Sequence, residues 1–248
     1  MDYTWNWSAL WSLSLDGRLT YFETLLLGLA WTLATALCAF FLALLVGSLL
    51  GVMRSAPVAW MNRVGACFVE LFRNVPLLVQ MFLWYFVLPE LLPDAAGDWL
   101  KQLPDAQFYT AVLCLGCYHG ARVAEVVRSG LGSLSRGQGM AGQALGLTLP
   151  QTYRYVLLPM AYRIVVPTLT SEFLSTTKNT SVALAIGLVE LTASARAMQE
   201  GTFQVFEAFA VASVLYLALN LVIVFLMRVL ERKAQVPGYV SGHEKGGR

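Results

Sequence analysis

Ionisable side chains are scarce in this chain, and three groups of polar residues have spacings that could do chemistry. His119, Arg122, Glu125 and Ser129 recur at intervals of three and four, so a helix would carry them on one face. Arg128 follows Glu125 by three. Thr176-Thr177-Lys178-Asn179-Thr180-Ser181 forms a dense polar patch in an apolar region that also holds Glu172. The third group, Glu70-Leu71-Phe72-Arg73-Asn74-Val75-Pro76, is followed one turn later by Gln80. Glu125 or His119 could act as acid or base in a membrane enzyme. The stripe on one face could instead serve conduction in an autonomous channel or ion-coupled carrier, or line the path of a substrate. Structural roles compete with each of these: interhelical hydrogen bonds for the stripe, an Arg122–Glu125 pair, a Glu70–Arg73 pair near a membrane interface, and a Lys178 that holds spans together. Cys114-x-x-Cys117 falls in an apolar stretch, where cysteine behaves as a small hydrophobe. No H-E-x-x-H, G-x-S-x-G or G-x-x-x-x-G-K-[ST] occurs, so neither a zinc protease, a serine hydrolase nor a P-loop ATPase is written here.

These residues must be held by membrane spans. Of 248 residues, 57% are hydrophobic and 13% charged, where soluble domains average about 25% charged. Thr24 to Met53 and Ala208 to Met227 contain no charge at all, and each is long enough to cross a bilayer core as a helix. The pattern predicts an all-α integral membrane protein with five spans, at about 24–52, 64–88, 106–127, 168–188 and 208–230. Pro76 should kink the second span or mark its true start, while Pro159 and Pro167 interrupt the approach to the fourth. Residues 1–23 form an interfacial N-terminal segment, rich in Trp and without the positive start of a signal peptide. Residues 235–248 form a charged, Gly-rich tail. Arginines cluster in the 54–63, 136–163 and 228–233 regions, whereas the 88–107 loop is acidic. With five spans the basic regions share one side, which the positive-inside rule makes cytoplasmic, with the N-terminus outside and the C-terminus inside. The net charge of +2 gives no reason to expect nucleic acid.

One cytoplasmic stretch, 136–159, looks like a helix–turn–helix. Gly146 should end a short helix, and Thr148 with Gln151 forms a capping box for another, with Pro150 in its first turn. An amphipathic helix between spans needs a partner.

Met140-Ala141-Gly142, three residues, Gly146, nine residues, then Val156-x-Leu158-Pro159 resembles the E-A-A…G…I-x-L-P loop of ABC-importer membrane subunits, with matching spacing. Further segments narrow the resemblance to polar amino acid permeases, and to the glutamate/aspartate permeases in particular. Glu70 to Gln80 is similar to their E-x-F-R-G-T-P-L-L-V-Q, Ala121 to Arg128 to A-Y-x-x-E-x-x-R, and Glu172 to Ser181 to E-F-(x)4-K-D-T-S. The resemblance implies a type I ABC importer permease fold. It implies that Met140, Ala141, Gly142, Ala144, Leu145, Gly146, Leu158 and Pro159 couple to a separate ATP-binding subunit, which holds ATP-Mg. This chain would bind no cofactor or metal and catalyse no reaction. Its other partners would be a second homologous permease subunit or a second copy of itself, and a periplasmic solute-binding protein. Glu70, Arg73, Asn74 and Pro76 would form a signature or gate. Arg122, Glu125, His119, Lys178, Asn179, Thr180, Ser181 and Gln80 would line the pathway. Four departures stand out. Met140 replaces the loop's Glu and Gly142 its second Ala, removing a carboxylate contact and weakening the helix by about 1 kcal/mol. Arg122 stands where Tyr is common and Asn179 where Asp is common, and both make the pathway more positive. An acidic amino acid is the expected cargo.

Overall fold

The first uncharged run becomes a single helix, α1, Tyr21–Ser55, in the computed structural model, which describes residues 3–234. Thr20 and Glu23 close its start with a capping box, and Ala56-Pro57 ends it. The order that follows is α2 (Ala59–Asn74), α3 (Leu77–Phe82), a π turn (Leu83–Val87), α4 (Leu88–Leu91), α5 (Asp94–Gln102) and α6 (Ala106–Gly132). After α7 (Arg136–Ala144) and α8 (Leu149–Thr152) comes a second π turn (Tyr153–Leu157), then α9 (Leu158–Asn179), a 3-10 turn (Thr180–Ile186), α10 (Leu191–Thr202) and α11 (Val205–Ala234). Among the described residues there is no strand, only an isolated bridge between Leu13 and Thr20. The expected tail, 235–248, lies outside the described residues.

α1 and α6 form the spine. Gly47 and Gly51, the G-x-x-x-G of the first span, face α6: a Cβ at Gly47 would lie 2.6 Å from the Val123 Cβ and 2.7 Å from the Gly120 carbonyl oxygen. Only glycine permits that approach, and in lipid such close backbone packing is what draws helices together. α9 lies on the same seam, where Phe40 of α1 stacks on Phe173 at 4.7 Å. α10 closes the far end. Its N-cap, Glu190, is wholly buried and accepts from Tyr216 at 2.7 Å and from its own helix at Ala193 N, 2.9 Å.

α1 and α11 are each long and apolar enough to cross a membrane alone. The other candidates are bent pairs. α2 and the Leu77–Leu91 helix meet at 102°, so the single run expected over 64–88 is in fact an elbow at Val75-Pro76. Leu149–Ile186 meets Leu191–Thr202 at 50°. α6 is about 40 Å long by helix rise, although it carries Arg122, Glu125 and Arg128. The prolines expected to interrupt the fourth span do not. Helix continues from Leu149 past both Pro159 and Pro167. For Pro159 the reason is the π turn just before it, where the Leu158 N–H bonds back to Tyr153 rather than to Arg154. That wider ring gives room for a proline that has no N–H to offer. The acidic loop is also more ordered than expected, forming α4 and α5. Lys101 there lies 2.7 Å from the Glu90 carboxylate, which raises its ammonium above the ordinary lysine value.

Candidate functional site

The polar stripe of α6 faces α9, and the two helices bring together most of the chemistry that the sequence scatters. Glu172, one turn before Thr176, is the hub. His119 is fully buried and its Nδ1 lies 3.3 Å from Glu172 Oε2. Its other nitrogen, Nε2, lies 3.1 Å from the Asn179 side-chain nitrogen. With that amide donating, Nε2 is the acceptor and Nδ1 carries the hydrogen that points at Glu172. Arg122 Nε lies 3.1 Å from the same carboxylate, its guanidinium 6.0 Å from the Tyr118 ring. One carboxylate thus orients both an imidazole and a guanidinium.

One turn along α6, Glu125 is the hub of a second cluster. It accepts from Arg54 at the end of α1, from Arg128 at 3.0 Å and from Arg73 at the end of α2 at 3.4 Å. The expected pairs Arg122–Glu125 and Glu70–Arg73 are not formed. Arg122 is turned to α9, and Arg73 reaches across to α6 because the elbow aims the last turn of α2 there. Between the clusters lies a cleft of about 370 Å³ lined by Arg73, Tyr118, Arg122, Glu125, Val126 and Glu172. A neighbouring hollow shares Glu125 and Val126 and runs on past Ser129. Arg73 and Arg122 line the cleft together with Glu125 and Glu172, while Arg54 and Arg128 hold Glu125 from outside its lining. With Arg54 and Arg128 added behind Glu125, the charge around the cleft favours an anion.

Other expected pathway residues lie elsewhere. Gln80 is buried at the elbow and does not line the cleft. Lys178 is exposed. Thr180 and Ser181 turn their hydroxyls back to the carbonyls of Thr177 and Lys178, both at 2.8 Å, and so finish α9. Glu70, Asn74 and Pro76 are exposed around the elbow. Sequence reasoning placed neither Glu172 nor Arg54 in the site. A signal existed for Glu172: a carboxylate in an apolar segment needs a cation, and Asn179 follows it by seven, on the same helix face.

The loop at 136–159 folds largely as anticipated. α7 ends before Gly146, whose φ of +84° is the left-handed turn that glycine enters without strain. α8 begins at Leu149 behind the Thr148–Gln151 capping box. Gly142 is buried against Thr152, where a Cβ would sit 3.0 Å from the threonine methyl. Met140, Ala141, Ala144 and Leu145 are exposed, Leu145 at 83%. Tyr153 donates to the Ser55 carbonyl at 2.9 Å, fastening the loop to the end of α1. The result is an apolar knob on α7, packed through Gly142 against Thr152 of the helix that runs from Leu149 into the cleft wall.

Residues 43–236 match the family of binding-protein-dependent transport system inner membrane components. The chain belongs to this family. The permease is 43% identical to the Glutamate/aspartate import permease protein GltJ of Escherichia coli (strain K12), over 98% of its own length and 100% of that protein's. It is 32% identical to the Glutamine transport system permease protein GlnP of the same organism, over 93% and 98% of the two chains. Among solved structures it superimposes on the crystal structure of an amino acid ABC transporter with histidines, with TM-score 0.73 and 28% identity, covering 86% of the permease and 95% of that chain. It is therefore an inner-membrane transport subunit of an amino acid ABC importer with the type I permease fold, and not an enzyme. ATP hydrolysis resides in a separate subunit.

Proposed function

We propose that the permease carries acidic amino acids, glutamate or aspartate, inward by alternating access. The carrying observation is the pair of guanidinium groups, Arg73 and Arg122, that line the cleft, backed by Arg54 and Arg128 on the far side of Glu125. A substrate with two carboxylates and one ammonium is a net anion; in this reading Arg122 and Arg73 receive a carboxylate while Glu172 or Glu125 receives the ammonium. Similarity to the glutamate/aspartate permease supports this reading, and similarity to the glutamine permease supplies its rival, a neutral polar amino acid.

In this reading five spans cross the inner membrane, with residues 1–23 periplasmic, 24–234 the membrane domain, and the 136–159 loop and 235–248 tail cytoplasmic. Met140, Ala141, Ala144 and Leu145 meet the ATP-binding subunit, which holds ATP-Mg; Gly142 and Gly146 shape the loop, and Leu158-Pro159 leads it into α9. A periplasmic binding protein delivers the substrate, and a second permease completes the pore. Met140 in place of the motif's Glu favours a non-identical partner that keeps the carboxylate. Uptake into vesicles holding the whole transporter tests the substrate: glutamate and aspartate are expected to be taken up and to compete with each other. Uptake of glutamine or arginine without either acidic amino acid would sink the proposal.

A further inference from the structure

The elbow between α2 and α3 has a chemical problem that one buried side chain solves. In a continuing helix the Phe72 carbonyl would accept from the N–H four residues on, but that residue is Pro76, which has none. The Gln80 side chain lies one turn beyond. Its Nε2 is 2.9 Å from the Phe72 oxygen and 2.8 Å from the Val75 oxygen, while its own backbone N–H donates to the Pro76 oxygen at 3.0 Å. Both hydrogens of the amide are thus used on the end of α2. Its other half, Oε1, is buried without any partner among the described residues, and the residue is only 4% exposed. A buried amide with an orphaned oxygen is costly, so what it contributes here is the pair of donors.

The consequence reaches the cleft. The elbow turns the chain by 102° and leaves Arg73, in the last turn of α2, 3.4 Å from Glu125. Phe72 is directed at Trp84 of the following π turn, ring centres 6.4 Å apart. Arg73 is 53% exposed and has no other carboxylate within ion-pair range among the described residues, so its position depends on the backbone that carries it.

We infer that Gln80 is a positioning residue for transport: it supplies the donor that Pro76 lacks, fixes the elbow, and so holds Arg73 at the mouth of the α6–α9 cleft. This rests on the reading of that cleft as the substrate path. It uses the whole transporter, with the four native cysteines replaced and spin labels at Arg63→Cys on α2 and Leu91→Cys at the end of α4. Two quantities are read, the width of the label–label distance distribution and the rate of substrate uptake. Gln80→Met keeps the length and removes the amide. It is expected to broaden the distribution and lower uptake by up to about a hundredfold, the scale of a group misplaced by about 1 Å. Pro76→Ala restores a backbone N–H at 76, so adding Gln80→Met in that background is expected to cause no further broadening and no further loss. If Gln80→Met alone reduces the amount of assembled complex, the same double variant is expected to restore it. Additive effects of the two substitutions, or failure of that restoration, would overturn the donor role. A broadened elbow with normal uptake, or reduced uptake with an unchanged elbow, would overturn the positioning role. Arg73→Ala separates the two readings: if it leaves uptake of every substrate intact, the cleft assignment fails while the elbow measurement still stands or falls by itself.

Discussion

Two carboxylates organise the site at the level of single residues. Glu172 is the sole anion facing His119 and Arg122 among the described residues, and it is 13% exposed. Glu172→Gln keeps its shape and removes its charge. A partly buried guanidinium left without its counter-ion costs about 1–3 kcal/mol. A lowered thermal midpoint of the purified complex is expected, together with a loss of uptake larger than that for a surface substitution. Arg122→Tyr restores the residue common in related permeases. It should weaken acidic uptake at least about tenfold, the worth of one good charged hydrogen bond, and leave the amount of complex unchanged. Loss of assembly instead would make Arg122 a structural residue. The stripe His119–Arg122–Glu125 was legible from its spacing alone. Its partners were not, because helix periodicity reports which face a residue occupies and says nothing about which helix that face meets. For that reason Arg122 seemed able to pair within its own helix, when a carboxylate from α9 lies closer.

At the level of helices, local chemistry was readable and long-range geometry was not. The capping box at Thr148–Gln151 and the glycine turn at Gly146 mark the ends of α7 and α8, because both depend on neighbours within four residues. The fate of the prolines depends on ring size in the preceding turn. Pro89 and Pro159 each follow a Leu whose N–H bonds five residues back, to Leu83 and Tyr153. No pattern of apolar residues announces that choice. The G-x-x-x-G of α1 is the contact on which α6 rests. Gly47→Ala is expected to destabilise the permease by about 1–3 kcal/mol, since its Cβ would meet both the Val123 side chain and the Gly120 backbone. Val123→Ala should recover only part of that loss, because the backbone clash remains. The yield and melting temperature of the solubilised complex would report both changes.

At the level of the whole molecule, the apolar knob on α7 is packed through Gly142 against Thr152 at the start of the helix that runs on to the cleft, so a partner moving the first moves the second. Replacing 141–146 with a Gly/Ser linker is expected to abolish co-purification of the ATP-binding subunit while leaving the helical content of the membrane domain intact. In sealed inside-out vesicles, Leu145→Cys should react with an impermeant maleimide and Trp99→Cys should not. Reversed labelling would invert the proposed orientation. The two charge-free spans and the polarity of the loops were legible because the bilayer imposes them on composition. The 102° elbow was only half legible, since a proline announces a break without giving its angle.

The wide turn at Tyr153–Leu157 has a consequence of phase. It holds one residue more than an ordinary turn, so the helical wheel of α8 is out of step with that of α9 by about 100°. Because α7 is packed on α8 through Gly142 and Thr152, that offset also sets the direction in which Met140 and Leu145 point. Removing a single residue from the turn would cancel it. The knob would then rotate about the helix axis like a key turned in the wrong keyway, with every membrane-embedded side chain still in its place. ATP would be hydrolysed without transport, or the subunits would part, from a deletion that touches neither site.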